Sequence, residues 1–436
     1  MKTHLVLVGF GQNRSHLIPG LMSISNKFPQ LKVTIIDKRD FHSIIRKDDD
    51  YSLTEDQIRW SKKHFVQEQD DDDDQYIVQD LCLEEISKNN NLNLRRIFYL
   101  SIPPDAVEHV IKKYSKYADI FVIEKPWALD QLHLQKITKY ANLARKKIFG
   151  VDHYLWKPEV RQFLRYMQLE SNQRLLRKND NFDFVLCEPE LDPPDRTYFW
   201  KTGIAMDMIP HVLPMLDRLF GNNCTISLKR AIPAICNDIV VRDILDNNRD
   251  KVSGDNRIKS DKYTVKETFA EIALSISVNS HKRKLVHVLL GKGARVKPIF
   301  VCNETRKAQK FFYSSLGKIF LDLDYQHIML KCKKKVSNSR EDPWYYIFKA
   351  LVSGKDYDLF VHVEYMKKYV SLYTHILTKF NDSVKYIAGQ EYTSGYAGLL
   401  LNSDQLRYIK GEIPPLQLIH PNCCFNNNSN NDNDNG

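Results

Sequence analysis

The stretch HLVLVGFG, His4 to Gly11, followed by HLIPGLMSI and LKVTIID, constrains the fold more than any other feature of the chain. An unbroken apolar run of this length reads as a strand buried on both faces. Glycines close it, a helical pattern follows, and a second apolar run ends at Asp37. Strand, tight turn, helix and strand in that order make a βαβ unit with parallel strands. RRIFYLSIPP and DIFVIEKP read as further buried strands, separated by the helical pattern of DAVEHVIKKYSKY. Such alternation implies a parallel sheet with helices on both faces.

From about residue 180 the texture changes. FDFVLCEP, TVKETFAEIALSISV, KLVHVLLGK and KPIFVCNE are strand-like runs without helices between them, which predicts a large, mainly antiparallel sheet. IAMDMIPHVLPMLDRLFG, Ile204 to Gly221, predicts a helix closed by glycine, its start kinked by proline. A chain of 436 residues exceeds the size of one hydrophobic core. The expected fold is an α/β Rossmann-type parallel-sheet domain followed by an α+β domain with the antiparallel sheet. The expected boundaries are 1–151 for the first, 152–415 for the second, and 416–436 for a disordered, asparagine-rich tail. The acidic runs Asp48 to Asp50 and Asp70 to Asp74 repel themselves and are expected in solvated loops.

Composition narrows the classes of partner. No apolar run is long enough to cross a bilayer, so no membrane association is expected. The N-terminus MKTHLVLVGFG starts as a strand and lacks a cleavage signal, and eight cysteines are scattered without metal-type spacing. Reduced thiols in the cytoplasm are the expectation. The net charge of +10 suggests an anionic partner. The lysines are spread, and the one block, KCKKK from Lys331 to Lys335, has no stacking aromatics beside it, which speaks against nucleic acid. A phosphorylated metabolite or a nucleotide cofactor suits the charge better.

Five motifs carry chemistry. Gly9 and Gly11 at the end of the first strand let backbone N–H groups approach a pyrophosphate, although Arg14 stands where a third glycine would complete the pattern. Asp37 closes the second strand where an acid receives a ribose 2′-hydroxyl, while Lys38 and Arg39 suit a 2′-phosphate. EKP, Glu124 to Pro126, ends a parallel strand at the edge where open α/β sheets bind ligands, and its X-Pro bond is a cis candidate. VDHYLWKP, Val151 to Pro158, sets Asp152, His153, Tyr154 and Lys157 almost side by side: a helix cap, a tautomer-fixing acid, or a phosphate site. His211 follows Asp207 by four residues, so both share one helix face.

Several of these stretches together resemble the glucose-6-phosphate dehydrogenase family. HLIPGL resembles KLIPAL, RIFYLSIPP resembles RVFYLALPP, IEKPWALD resembles VEKPFGRD, and VDHYLWK resembles the family's IDHYLGK. Further likeness runs through CEPELDPPDRTYFWKTGIAMD, ETFAEIALSI, VHVLLGKGARVK, DPWYYIFKALVSGKDYDLFV and EYTSGYAGLLL, in the family's order. The resemblance implies oxidation of glucose 6-phosphate at C1 to the lactone, as in the pentose phosphate pathway, with NADP as cofactor and NAD as the alternative. It implies His211 as general base and Asp152 as the acid that orients it. Lys125, His153, Tyr154, Lys157, Glu188, Asp207, Lys292 and Lys297 would bind the sugar phosphate. Gly9, Gly11, Asp37, Lys38, Arg39, Pro103 and Lys125 would bind the dinucleotide. A homodimer or higher homo-oligomer is expected from the large open sheet.

The departures are specific. Trp156 replaces a glycine, the glycine turn is two residues shorter, Asp195-Arg196 replaces an arginine-glycine pair, and Asp37-Lys38-Arg39 replaces a neutral turn with an arginine. The family's D-M-V-Q-N-H is DMIPH here, a one-residue shortening that rotates His211 by about 100° on a regular helix. That shorter spacing also resembles the D-x-G-x-H helix of the glucose–fructose oxidoreductase/inositol dehydrogenase family, whose members act on other sugars and polyols. A non-catalytic NADP-binding protein is the third reading.

Overall fold

The computed structural model describes residues 2–9, 14–41, 53–67, 94–178, 180–188, 199–221, 224–235, 269–278, 282–292, 299–304, 307–314, 318–323, 326–331, 343–387 and 399–400. Both acidic runs and the tail at 416–436 lie outside the described residues. The chain divides into two compact units. One gathers Met1–Asn172, Met206–Asn223 and Cys332–Leu377, and the other gathers Gln173–Ala205, Cys224–Lys331 and Thr378–Gly436.

The first unit is built on six parallel strands: β1 Lys2–Val8, β2 Leu31–Asp37, β3 Phe65–Gln67, β4 Leu94–Leu100, β5 Ile120–Glu124 and β6 Lys147–Val151. They lie in the order β6-β5-β4-β1-β2-β3, and a short strand, Val361–His362, pairs antiparallel with β6. Leu5, Leu7, Ile35, Ile97, Tyr99 and Val122 are fully buried, as expected of a sheet covered on both faces. The helices include α1 Arg14–Lys27, α2 Glu55–His64, α3 Pro104–Tyr114 and α4 Gln131–Leu143. Local chemistry sets their starts. Thr54 and Gln57 form a capping box on α2, Pro104 opens α3 after Pro103, and Asp130 caps α4 by accepting from His133 N at 2.7 Å.

Strand order reverses between β1 and β4, and the crevice beyond their carboxyl ends is where such sheets take ligands. Gly9 sits there with φ of 91°, its N–H donating to Ile36 O at 2.8 Å. A Cβ at this position would collide with Ser101 O and stand 2.7 Å from Ile102 Cγ2. Only glycine fits, because Ser101 and Ile102 fill the space that a side chain would need.

In the second unit β7 Asn181–Glu188, β8 Thr225–Ile235, β9 Phe269–Val278, β10 Lys282–Lys292, β11 Ile299–Glu304, β12 Lys307–Ser314, β13 Lys318–Leu323 and β14 Gln326–Lys331 form one sheet with the short strand Leu399–Leu400. Its pairings are antiparallel except β7 with β10 and β8 with Leu399–Leu400. Phe182, Phe184 and Leu186 alternate along β7 and meet Val286, Val288 and Leu290 in register, a row that buries one face. The expected α/β domain and mainly antiparallel sheet are both present.

The remaining helices are α5 Pro158–Met167, α6 Glu170–Lys178, α7 Phe199–Phe220, α8 Pro343–Ser353 and α9 Val363–Ile387. The kink expected from proline in α7 falls at Gly203, whose φ of 75° is non-helical, while Pro210 and Pro214 lie inside the helix. Asp217 anchors α7 to α9: it is 2 % exposed, 2.5 Å from Lys368 Nζ, and accepts from the Tyr369 hydroxyl. Among the described residues no helix is long and apolar enough to cross a membrane.

One buried group inside β1 has a pH consequence. His4 sits between Lys32 and Arg96 on the neighbouring strands, with Nε2 2.9 Å from Thr34 Oγ1. Burial, reinforced by those two cations, pushes its pKa from 6.5 down to about 3. Between these values the unfolded chain holds a proton that the native chain excludes, so stability is lost as pH falls through that window. His4→Gln is expected to remove up to about 1.4 kcal/mol per pH unit of that slope. Urea unfolding of both proteins between about pH 4 and 7 measures it, and equal slopes would count against the assignment.

Candidate active site

Four elements of the first unit converge. β5 runs into Lys125, whose bond to Pro126 is cis. β6 runs into Asp152 and a single 3-10 turn, His153–Trp156. α7 carries Asp207 and His211 on one face, and α8 brings Trp344.

Asp152 and His211 are each fully buried and meet at 2.5 Å between Oδ1 and Nδ1. Oδ1 also accepts from Tyr154 N at 3.1 Å. Asp152 therefore caps the turn and contacts the His211 ring through the same oxygen, two readings that the sequence allowed together. Burial pushes its carboxyl well above the usual carboxylate range, while the Tyr154 N–H and the charges of Lys125 and Lys157 pull the other way. Oδ1 and Nδ1 stand at the distance of a hydrogen bond with one proton between them. With Nδ1 engaged, Nε2 is the ring atom able to take a proton from a substrate. The one-residue shortening has not carried His211 away from its partner. Prolines at 210 and 214 each remove an intrahelical donor from α7.

Lys125 Nζ lies 2.5 Å from Asp207 Oδ1 and donates to Asp207 O at 3.0 Å. Both side chains are about one-sixth exposed, so the ion pair lines the edge of the site. Lys157 Nζ lies 3.6 Å from the centroid of Tyr154, and the Tyr154 ring stands 4.3 Å from that of His211. A cation, a phenol and the imidazole thus follow one another along the turn. His153 is held neutral: burial pushes its pKa well below 6.5, helped by Lys157 and Lys125.

Trp344 was not singled out by its sequence context, yet it organises this region. Its indole lies 4.9 Å from His153 and 5.2 Å from His16 of α1, nearly parallel to both. The indole N–H donates to Glu124 Oε1 at 3.3 Å, and the Tyr99 hydroxyl donates to the same oxygen. Burial pushes the Glu124 carboxyl up, opposed first by the Tyr99 bond. A buried indole needs an acceptor, and Glu124 is the buried acid that supplies one. The only hint in the sequence was EKP itself, which directed attention to Lys125 rather than to the residue before it. Trp156, the departure from glycine, turns into the core and packs on Phe360 at 4.9 Å.

The other expected positions fall in several places. Asp37 ends β2 and is closed by Arg39, which donates from N and Nε to Oδ1 at 3.0 Å and from Nη2 to Oδ2 at 3.1 Å. Lys38 beside them is exposed. Pro103 precedes α3 beyond the end of β4. Glu188 and Lys292 belong to the second unit, at the ends of β7 and β10, and are partners across that pair. Gly11 and Lys297 lie outside the described residues.

A dinucleotide fits the residues present in the first unit. Gly9 ends β1 at the strand-order reversal in a positive-φ conformation, and α1 starts a few residues beyond it, so a helix N-terminus lies at the crevice.

Residues 32–162 match the family model described as "Glucose-6-phosphate dehydrogenase, NAD binding domain". The glucose-6-phosphate 1-dehydrogenase of Aspergillus niger is 30% identical over 167 residues, covering 36% of this chain and 32% of that protein. The chain thus spans about a third of the length of the curated relatives it matches. In fold it is similar to a glucose-6-phosphate dehydrogenase solved in complex with its substrate glucose 6-phosphate (TM-score 0.62, 17% identity, 94% of this chain and 97% of that one). A 3-ketoreductase from Actinomadura kijaniata in complex with NADP and TDP-benzene shares the fold at a TM-score of 0.55 and 11% identity, over 87% of this chain and 98% of that one. Residues 32–162 are thus related in sequence to the NAD-binding domain of the glucose-6-phosphate dehydrogenase family, and the chain as a whole is similar to that family in fold.

Proposed function

We propose that this chain oxidises glucose 6-phosphate at C1 to 6-phosphogluconolactone with a nicotinamide cofactor. The observation that carries the reading is the fully buried Asp152–His211 pair at 2.5 Å, beside the Lys125–Asp207 ion pair. His211 Nε2 takes the proton of the C1 hydroxyl, and Asp152 stabilises the imidazolium that forms. Asp207 accepts from a sugar hydroxyl, and Lys125 donates to the sugar and to the cofactor. His153, Tyr154 and Lys157 hold the phosphate, with Lys157 leaving the Tyr154 ring to meet it. Glu188, Lys292 and Lys297 are assigned to the substrate by family resemblance alone. The bound dinucleotide supplies the hydride acceptor. Gly9 and Gly11 receive its pyrophosphate, and Pro103 borders the same crevice. NADP is the favoured form: Arg39 covers the carboxylate of Asp37 that a ribose hydroxyl would use, leaving Lys38 and Arg39 at the rim for a 2′-phosphate. We assign a cytoplasmic location and a homo-oligomeric state as part of the same reading.

The second reading, an oxidoreductase of another sugar or polyol, is favoured by the four-residue spacing of Asp207 and His211. Following nicotinamide reduction near ~340 nm separates the two. Glucose 6-phosphate and glucose are each paired with NADP and with NAD. Turnover of glucose 6-phosphate supports the first reading, turnover confined to unphosphorylated sugars supports the second, and silence in all four leaves a non-catalytic dinucleotide-binding protein. His211→Asn is expected to lower kcat by about 10²- to 10⁴-fold while cofactor binding, read by fluorescence titration, stays nearly unchanged. Near-native kcat in that variant would remove His211 as the base. Lys157→Ala is expected to raise KM for the phosphorylated substrate by about 10- to 100-fold. An equal rise with glucose would show that Lys157 does not hold the phosphate.

A further inference from the structure

Asp152, His153 and His211 have a property beyond proton transfer. Each offers one ligand atom, a carboxylate oxygen or a ring nitrogen, and the three atoms lie within 4.8 Å of one another. One carboxylate and two imidazoles make a donor set suited to a borderline divalent ion such as zinc. Donors at about 2.0–2.1 Å from a tetrahedral ion stand ~3.4 Å apart, so separations of up to 4.8 Å must close by at most about 1.4 Å, while an ion held between Nδ1 and Oδ1 must open their 2.5 Å contact. The donors come from adjoining elements: Asp152 caps the 3-10 turn that begins at His153, and the His211 ring on α7 stands 4.8 Å from that of His153. Asp152 Oδ2 is buried and has no hydrogen-bond partner among the described residues. A buried carboxylate oxygen left without a donor is costly, and a cation is one way to satisfy it. His153 is only partly buried and offers the way in.

We propose that these three residues bind a divalent transition-metal ion of the zinc class, and that its occupancy holds the catalytic base off. On binding, the proton between Asp152 and His211 leaves to solvent and the ion takes its place. The binding claim stands on the donor set alone; its regulatory consequence rests on the reading of His211 as base.

The full chain, stripped with a chelator, is titrated with Co²⁺ as a spectroscopic stand-in for Zn²⁺. One equivalent is expected, giving visible d–d bands without a thiolate charge-transfer band, and Zn²⁺ displaces it. Asp152→Asn and His153→Gln are each expected to weaken binding at least about tenfold. His153→Gln, at a part-exposed position, covers the case in which Asp152→Asn fails to fold. Unchanged affinity in His153→Gln, or a thiolate band assigning the ion to cysteines, overturns the site. Turnover of glucose 6-phosphate in chelator, lost on adding Zn²⁺ and regained with more chelator, supports the regulatory half. Co²⁺ bound at the three residues in a chain that turns over no sugar phosphate keeps the metal site and overturns the oxidoreductase reading. Turnover indifferent to Zn²⁺, with no Co²⁺ spectrum, overturns the metal site and keeps that reading.

Discussion

The contact between Asp152 and His211 sets the terms for everything around it. Two ionisable side chains with no solvent exposure are tolerable only when each answers the other. Their partnership ties the turn after β6 to α7. Because the same oxygen also receives the Tyr154 N–H, the shape of the turn and the orientation of the imidazole are one constraint. Any residue that loosens the turn also turns the imidazole of His211. The rest of the site follows the same rule of paired burial: Glu124 answered by Tyr99 and Trp344, Asp207 by Lys125.

Aromatic packing then fixes what hydrogen bonds alone would leave free to rotate. His153 is clasped between the Trp344 indole and the edge of His211, and Trp344 reaches on to His16 in the first turn of α1. At Gly20 a Cβ would stand 3.0 Å from the backbone of Trp344, which shows how closely α1 and α8 approach. Helix α1 and the 3-10 turn after β6 are thus braced by one side chain. Trp156 takes no part in this, and its bulk is absorbed by Phe360 and the core behind the turn.

Much of the architecture was legible because hydrophobic period is a local signal. Four of the six parallel strands (β1, β2, β4 and β5), four strands of the second sheet (β7, β9, β10 and β11) and the body of α7 stand where apolar runs and turn residues put them, while β3 and β6 were not singled out. Asp152 and His211 were legible through motif and helical spacing. What escaped was non-local. Trp344 lies more than 180 residues from His153, and nothing in DPWYYIFKAL announces that its indole N–H will meet Glu124. Arg39 folding back on Asp37 likewise depends on side-chain geometry rather than on residue order. The kink of α7 at Gly203 instead of at a proline has the same origin: an interior proline was tolerated, and a glycine supplied the φ of 75°.

The unit that holds the parallel sheet is not one stretch of chain. Its last pieces, α8, the edge strand Val361–His362 and the first half of α9, come after β7–β14 of the second sheet in sequence order. On a ribosome working from the N-terminus, six strands and their helices emerge long before Trp344 and the edge strand that complete them. For all that interval the outer side of β6 remains an unpaired strand edge and Gly20 faces no α8. Assembly is therefore governed by contacts of very long sequence separation, a topology that folds slowly. A nascent chain of this protein depends on protection of that edge until its C-terminal third has been made.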